Sequence, residues 1–262
     1  MLGAIIGDIA GSRFEWHNIK TKDFEFFGPG VRLTDDSIMT LAVALALLES
    51  RSDFRDLPEQ AVKWMQTLGR EYPDAGYGGR FLKWLFSENP APYCSLGNGA
   101  AMRVSPAGYA TASLDEAKNL ARAVTAVTHN HPEGIRAAEA VAVAIYLART
   151  GQGLTEIREY ITRNYYSLDF TLDEIRPEYG FDVTCQGSVP QAFMAFFEAS
   201  GFEDAVRNAV SIGGDSDTIA AIAGGLAAAF YGIPPAIRER ALSFLDPRER
   251  EILEAFEERY PG

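Results

Sequence analysis

Two alanine-rich, uncharged runs, Ile38–Leu48 and Ile219–Tyr231, each follow a cluster of hydroxyl and carboxylate side chains: Thr34-Asp35-Asp36 before the first, Asp215-Ser216-Asp217-Thr218 before the second. Runs of that composition are apolar on every side and read as helices buried in a core. One acid at a helix start is ordinary, because it caps free N–H groups and sits well in the helix dipole. A second acid beside it repels the first, and the repulsion grows as water is excluded. Two buried acid pairs therefore call for a cation. Hard cations such as Mg²⁺ or Mn²⁺ take carboxylate and hydroxyl oxygens. The candidate ligands are Thr34, Asp35, Asp36, Asp215, Asp217 and Thr218, and one shared site obliges the two ends of the chain to meet.

The rest of the sequence has the same period. Apolar residues recur at helical spacing in Ile38–Leu48, Leu57–Leu68, Leu114–Val127, Ile135–Ala148, Leu154–Arg163, Val189–Glu198, Glu203–Val210, Ile219–Tyr231, Pro235–Leu245 and Glu249–Tyr260, and strand-like alternation is nearly absent. Start signals agree: Thr34, a Ser113/Glu116 capping box, Pro132, and Asp246-Pro247. The fold class expected is all-α. Small residues in Ala42–Ala46, Ala137–Ala144 and Ala220–Ala229 permit close helix approach, which suits a compact orthogonal multi-helix bundle. No linker or charge block divides the 262 residues, so one domain over 1–262 is expected.

A net charge of −12 argues against a nucleic-acid or anionic-membrane surface, and an anionic substrate would need a local positive centre. Cys94 and Cys185 are too few for a disulfide scaffold and lack zinc-site spacing; both are expected to be small buried side chains in a reducing cytoplasm. The N-terminus lacks a basic region and meets Asp8, unlike a signal peptide, and no apolar run is long enough to span a membrane.

Gly76-Tyr77-Gly78-Gly79, Gly97-Asn98-Gly99 and Gly213-Gly214 lie between helices, where glycine lets backbone N–H groups converge on a ligand. The middle loop is not a dinucleotide fingerprint, since no strand precedes it and Met102 stands at the third glycine position.

Taken in order, Gly7-Asp8-Ile9-Ala10-Gly11-Ser12-Arg13-Phe14-Glu15, Leu33-Thr34-Asp35-Asp36-Ser37, Gly97-Asn98-Gly99-Ala100-Ala101-Met102-Arg103, Thr128-His129 and Gly213-Gly214-Asp215-Ser216-Asp217-Thr218 resemble the ADP-ribosylglycohydrolase family, in particular the dinitrogenase-reductase-activating glycohydrolases. The resemblance implies an all-α hydrolase. It would carry two divalent cations, Mg²⁺ or Mn²⁺, and cleave the glycosidic bond between ADP-ribose and an acceptor. It places the metal ligands on the six residues already selected, and Glu15 on the carboxylate near the scissile bond. It puts Ser95, Asn98, Gly99 and His129 on the ADP-ribose cleft, with Gly76 and Gly78 as further backbone donors. Leu96 departs from an aromatic found in some relatives, and Tyr77 or Phe14 are the expected substitutes for its stacking surface. His131 is expected to be structural, and the rings of Tyr160–Phe181 to belong to the core. The acceptor stays open, because arginine, serine, other side chains, nucleic-acid bases, O-acetyl-ADP-ribose and ADP-ribose polymer share the ADP-ribose half.

Two other readings compete. Asp-x-Asp followed by Thr is similar to aspartyl-phosphate phosphatases, but Ile219 fills their Thr position and helices surround the segment. A catalytically silent ADP-ribose-binding or crystallin-like relative would have lost a ligand or Glu15, and this chain keeps them all.

Overall fold

A computed structural model describes residues 1–261. Fifteen α-helices follow one another: α1 (Leu2–Gly11), α2 (Asp35–Glu49), α3 (Leu57–Glu71), α4 (Gly79–Leu85), α5 (Gly99–Met102), α6 (Ser105–Tyr109), α7 (Leu114–Ala126), α8 (Pro132–Arg149), α9 (Leu154–Asn164), α10 (Leu172–Ile175), α11 (Cys185–Phe197), α12 (Phe202–Ser211), α13 (Ser216–Tyr231), α14 (Pro235–Leu242) and α15 (Pro247–Arg259). No strand occurs among the described residues; a lone bridge pairs Gly97 with Thr184. The all-α expectation holds, and each of the ten periodic segments coincides with a helix to within a few residues.

The helix starts follow their chemistry. The Asp246 carboxylate accepts the Glu249 N–H at 2.8 Å while Glu249 accepts the Asp246 N–H at 2.7 Å, closing a capping box on α15. At α7 the expected box closes only halfway. Ser113 accepts from the Glu116 N–H, but the Glu116 carboxylate turns to the Ala112 N–H at 2.6 Å, a donor one residue further out. His131 is structural as expected: its Nδ1 caps α8 by accepting the Glu133 N–H at 3.1 Å, ahead of Pro132. Cys185 is buried, whereas Cys94 is exposed on a positive-φ turn, against the expectation that both are buried.

Helix α1 carries no polar stripe from which periodicity could be read, and all ten of its residues are buried. Its glycines at 3, 7 and 11 share one face, and that face lies backbone to backbone on α13. A Cβ at Gly7 would come within 1.9 Å of the Ala220 carbonyl oxygen, and one at Gly11 within 2.5 Å of the Ser216 carbonyl oxygen. Helix α13 also packs on α8, α11 and α12, and α2 packs on α1, α3 and α15. Two consequences matter for function. The chain leaving α1 through the short 3₁₀ turn Ser12–Phe14 delivers Glu15 beside the start of α13. The start of α2 is set against the same helix through α1.

Candidate active site

The two acid clusters meet. Thr218 Oγ1 donates to Asp36 Oδ2 at 3.2 Å across the gap between α13 and α2. Carboxylate oxygens of Glu15, Asp215 and Asp217 lie within 4.8 Å of one another. They face a cleft of about 400 Å³, which Asp35, Asp36, Thr218, Gly76, Gly78, Ser95, Asn98, Gly99 and His129 also line. Of the expected ligands, the expected base and the expected ADP-ribose contacts, Thr34 alone stands off the cleft wall.

Each half of the site is held differently. At α2, Asp8 reaches in from α1: one oxygen accepts the Thr34 hydroxyl at 2.7 Å, and the other accepts the N–H groups of Thr34 at 2.9 Å and Ser37 at 3.1 Å, together with the Ser37 hydroxyl. Asp8 is fully buried, and burial outweighs these donated bonds and raises its carboxyl above the ordinary range. At α13 the Asn98 amide donates to Asp215 at 2.6 Å and to Ser188 at 3.0 Å, fixing the Gly97–Gly99 turn against the acid. Asn18 joins the Glu15 turn to the Gly213-Gly214 turn, donating to the Phe14, Glu15 and Gly214 carbonyls and accepting the Gly214 N–H at 2.7 Å.

Crowding of carboxylates in a water-poor cleft shifts them all one way. Burial first, then neighbouring carboxylates, raises Asp36 and Asp217 well above the ordinary range and pushes Asp35 up to about 7. Burial, then Asp215, pushes Glu15 to about 7. Asp36 Oδ1 is buried without a hydrogen-bond partner. A buried acceptor with no donor, among carboxylates that all favour neutralisation, is a donor set that fits a hard cation.

The model for the family described as ADP-ribosylglycohydrolase matches residues 1–261. The chain belongs to the ADP-ribosylglycohydrolase family. The glycohydrolase is therefore a hydrolase of glycosidic bonds to ADP-ribose. It is 30% identical over 232 residues to the ADP-ribosyl-[dinitrogen reductase] glycohydrolase of Rhodospirillum rubrum, covering 86% of this chain and 77% of the relative. It is 26% identical over 310 residues to ADP-ribosylhydrolase ARH3 of Homo sapiens, covering 89% and 84%. A solved structure, an ADP-ribosylglycohydrolase-related protein complex, superposes with a TM-score of 0.68 at 26% identity, covering 97% of this chain and 93% of that one.

Several residues that build or line the cleft of the glycohydrolase escaped the sequence reading, Asp8 from beneath it. Asp8 sits inside the first motif but gave no sign of its role. Tyr77 and Phe14, the expected stand-ins for an aromatic at Leu96, do not line the cleft: Tyr77 leans on Phe81 and Phe14 packs edge-on against Phe24. The aromatic surface comes instead from Trp16, 71% exposed and stacked on Phe181 with ring centroids 5.0 Å apart, and from Tyr93. Phe181 was expected in the core and is 46% exposed on the cleft wall, whereas Tyr165 and Tyr166 of the same segment are core residues as expected. No helix is long and apolar enough to cross a membrane among the described residues.

Proposed function

We propose that this glycohydrolase acts as one domain and uses two divalent cations, Mg²⁺ or Mn²⁺, to release ADP-ribose from an ADP-ribosylated macromolecule, a protein side chain foremost, in the cytoplasm. The observation that carries the proposal is the convergence of Glu15, Asp215 and Asp217 within 4.8 Å at the cleft, facing Asp35 and Asp36 across it. The oxygens of Asp35, Asp36, Asp215, Asp217 and Thr218 would hold the cations, with the Thr34 hydroxyl, which donates its hydrogen bond to Asp8 and so leaves its oxygen free to coordinate, a sixth ligand. When bound, the cations supply positive charge that neutralises the carboxylates and makes water more acidic. The protein acceptor is supported by the dinitrogen reductase named for the Rhodospirillum relative, and a net charge of −12 speaks against stable nucleic-acid binding.

Glu15 is the general base. Its turn is clamped by Asn18, and a carboxyl near neutrality can both exist as a base and take up a proton. A water oxygen bonds to the anomeric carbon and gives its proton to Glu15. The bond from that carbon to the acceptor breaks, and the acceptor leaves with the electron pair and takes up a proton. Ser95, Asn98, Gly99 and His129 line the cleft on the Gly97–Gly99 side and would bind the ADP-ribose half. The test is a panel of defined ADP-ribosylated peptides incubated with Mg²⁺, Mn²⁺ or EDTA, with released ADP-ribose weighed by mass spectrometry. Release that needs metal is expected. Release from none of the panel, or equal release in EDTA, overturns the proposal.

A further inference from the structure

The cleft contains one charged group that the chemistry above leaves unused. Arg103 is 1% exposed, lines the cleft and takes part in none of the ion pairs among the described residues. A buried guanidinium without a carboxylate is costly and needs a use. Its Nη2 donates to Thr128 Oγ1 at 2.6 Å and lies 3.3 Å from His129 Nδ1. Thr128 Oγ1 is 2.7 Å from the same Nδ1 but 3.4 Å from its other acceptor, the Thr125 carbonyl. A guanidinium can only donate. A proton on Nδ1 would set two N–H groups against each other and turn the Thr128 hydroxyl away from its shorter partner. Nδ1 is therefore the acceptor, and Nε2 carries the hydrogen.

Nε2 points at the glycine turn. A Cβ at Gly99 would meet it at 3.2 Å and one at Gly97 at 3.6 Å, so two glycines keep space in front of this N–H open. We infer that Arg103 is a positioning residue that locks His129 as a neutral Nε2–H donor aimed past the Gly97–Gly99 turn into the ADP-ribose cleft. The charged groups facing His129 are Arg103 and Arg80, both cationic, and burial and these charges together keep the ring neutral. The tyrosine ring of Tyr93, 5.8 Å away, closes its side. The inference rests on the reading of this cleft as an ADP-ribose site, but the tautomer itself does not.

The test has two arms. Nitrogen NMR of the ligand-free protein should show His129 as the Nε2–H tautomer in the wild type and in Arg103→Lys, and a mixture of tautomers in Arg103→Met. Nδ1–H in the wild type would overturn the inference whatever the enzyme hydrolyses. The second arm is a double-mutant cycle on the affinity of ADP-ribose in Mg²⁺. Arg103→Met should weaken binding about tenfold or more, as losing a positioned hydrogen-bond donor does. The same change in a His129→Gln background should then cost less than about threefold, because Arg103 acts through the histidine. The Michaelis constant should move with affinity while kcat moves by less than about threefold. Equal losses in both backgrounds, or a fall confined to kcat, would overturn the inference. Should Arg103→Met fold poorly, the Arg103→Lys spectrum decides: loss of the Nε2–H tautomer there also overturns it.

Discussion

The starts of α2 and α13 carry nearly the same residues and are built in opposite ways. At α2, Thr34 caps the helix through the Asp36 N–H, and Asp8 from a neighbouring helix takes two further N–H groups and two hydroxyls. At α13, Asp215 stands at the N-cap without a side-chain cap bond, and its carboxylate is held from the side by Asn98. The backbone and hydroxyl groups of the α2 start are therefore satisfied by the protein itself, and only its Asp35 and Asp36 carboxylates are left wanting positive charge. The α13 half gathers Asp215, Asp217 and Glu15 with few donors between them, so it is completed only by something positive from solution. The same acidic motif thus stands on a buried carboxylate clamp at one wall of the cleft and has no such clamp at the other.

The largest effect expected is chemical and lies on the second wall. Glu15→Gln should lower kcat by roughly 10²–10⁴-fold while sparing ADP-ribose affinity, since it removes a base without removing volume. Asp217→Asn should remove most turnover too, yet in EDTA it should melt higher than the wild type, because it deletes an uncompensated buried charge. Turnover and melting curves on the two variants check this. Full activity in both would mean that the converging carboxylates are not the reacting centre.

The opposite pattern is expected on the first wall. Asp8→Ala leaves two N–H groups and two hydroxyls buried without their acceptor, a loss of about 3–5 kcal/mol. Denaturant unfolding should show that loss with and without Mg²⁺ alike. If Mg²⁺ restored the variant to wild-type stability, Asp8 would be part of the cation's own shell rather than a scaffold for α2. A smaller loss, about 1–3 kcal/mol, is expected for Gly7→Ala, whose Cβ would force α1 away from the Ala220 carbonyl and carry Glu15 with it. Its kcat should fall with its stability; an unchanged kcat would show that the α1 to α13 contact does not position Glu15.

What could be read in the sequence differs between the walls for a physical reason. The acid clusters and the ten long helices are local signals: carboxylates repel their neighbours, and an amphipathic period shows within one turn. Asp8 and α1 are not local. A helix buried on every side has no stripe, three glycines in ten residues argue against helix by propensity, and the fit of Gly3, Gly7 and Gly11 onto α13 exists only once α13 is in place. The aromatic rim failed for the same reason. Whether Phe181 faces the core or Trp16, and whether Tyr77 faces the cleft or Phe81, depends on which loop lies opposite. The capping box at Ser113 shows the limit at close range: the spacing was right, but the Ser113 N–H donates to the Thr111 hydroxyl and Glu116 takes the Ala112 N–H instead.

The smallest effect is the pH dependence of stability without cations, which draws on carboxylates of both walls. Burial raises Glu15 and Asp35 to about 7 in the folded chain, above the ordinary range that such groups have when unfolded. Between those values the folded state binds more protons than the unfolded state, so stability falls as pH rises through the window. Below the window both states are protonated and nothing is lost; above it the full penalty is present. In EDTA the melting temperature should therefore decline from about pH 5 to about pH 8, by about 2–4 °C for each kcal/mol involved. Mg²⁺ should reverse the decline, raising the melting temperature more at the upper pH than at the lower, because only ionised carboxylates hold the cation. In Asp217→Asn both the decline and the Mg²⁺ response should shrink, while in Gly7→Ala both should persist on a lower baseline. A melting temperature that rises with pH in EDTA would mean that the carboxylates of the cleft are satisfied by the protein after all, and the need for a cation at either helix start would fail.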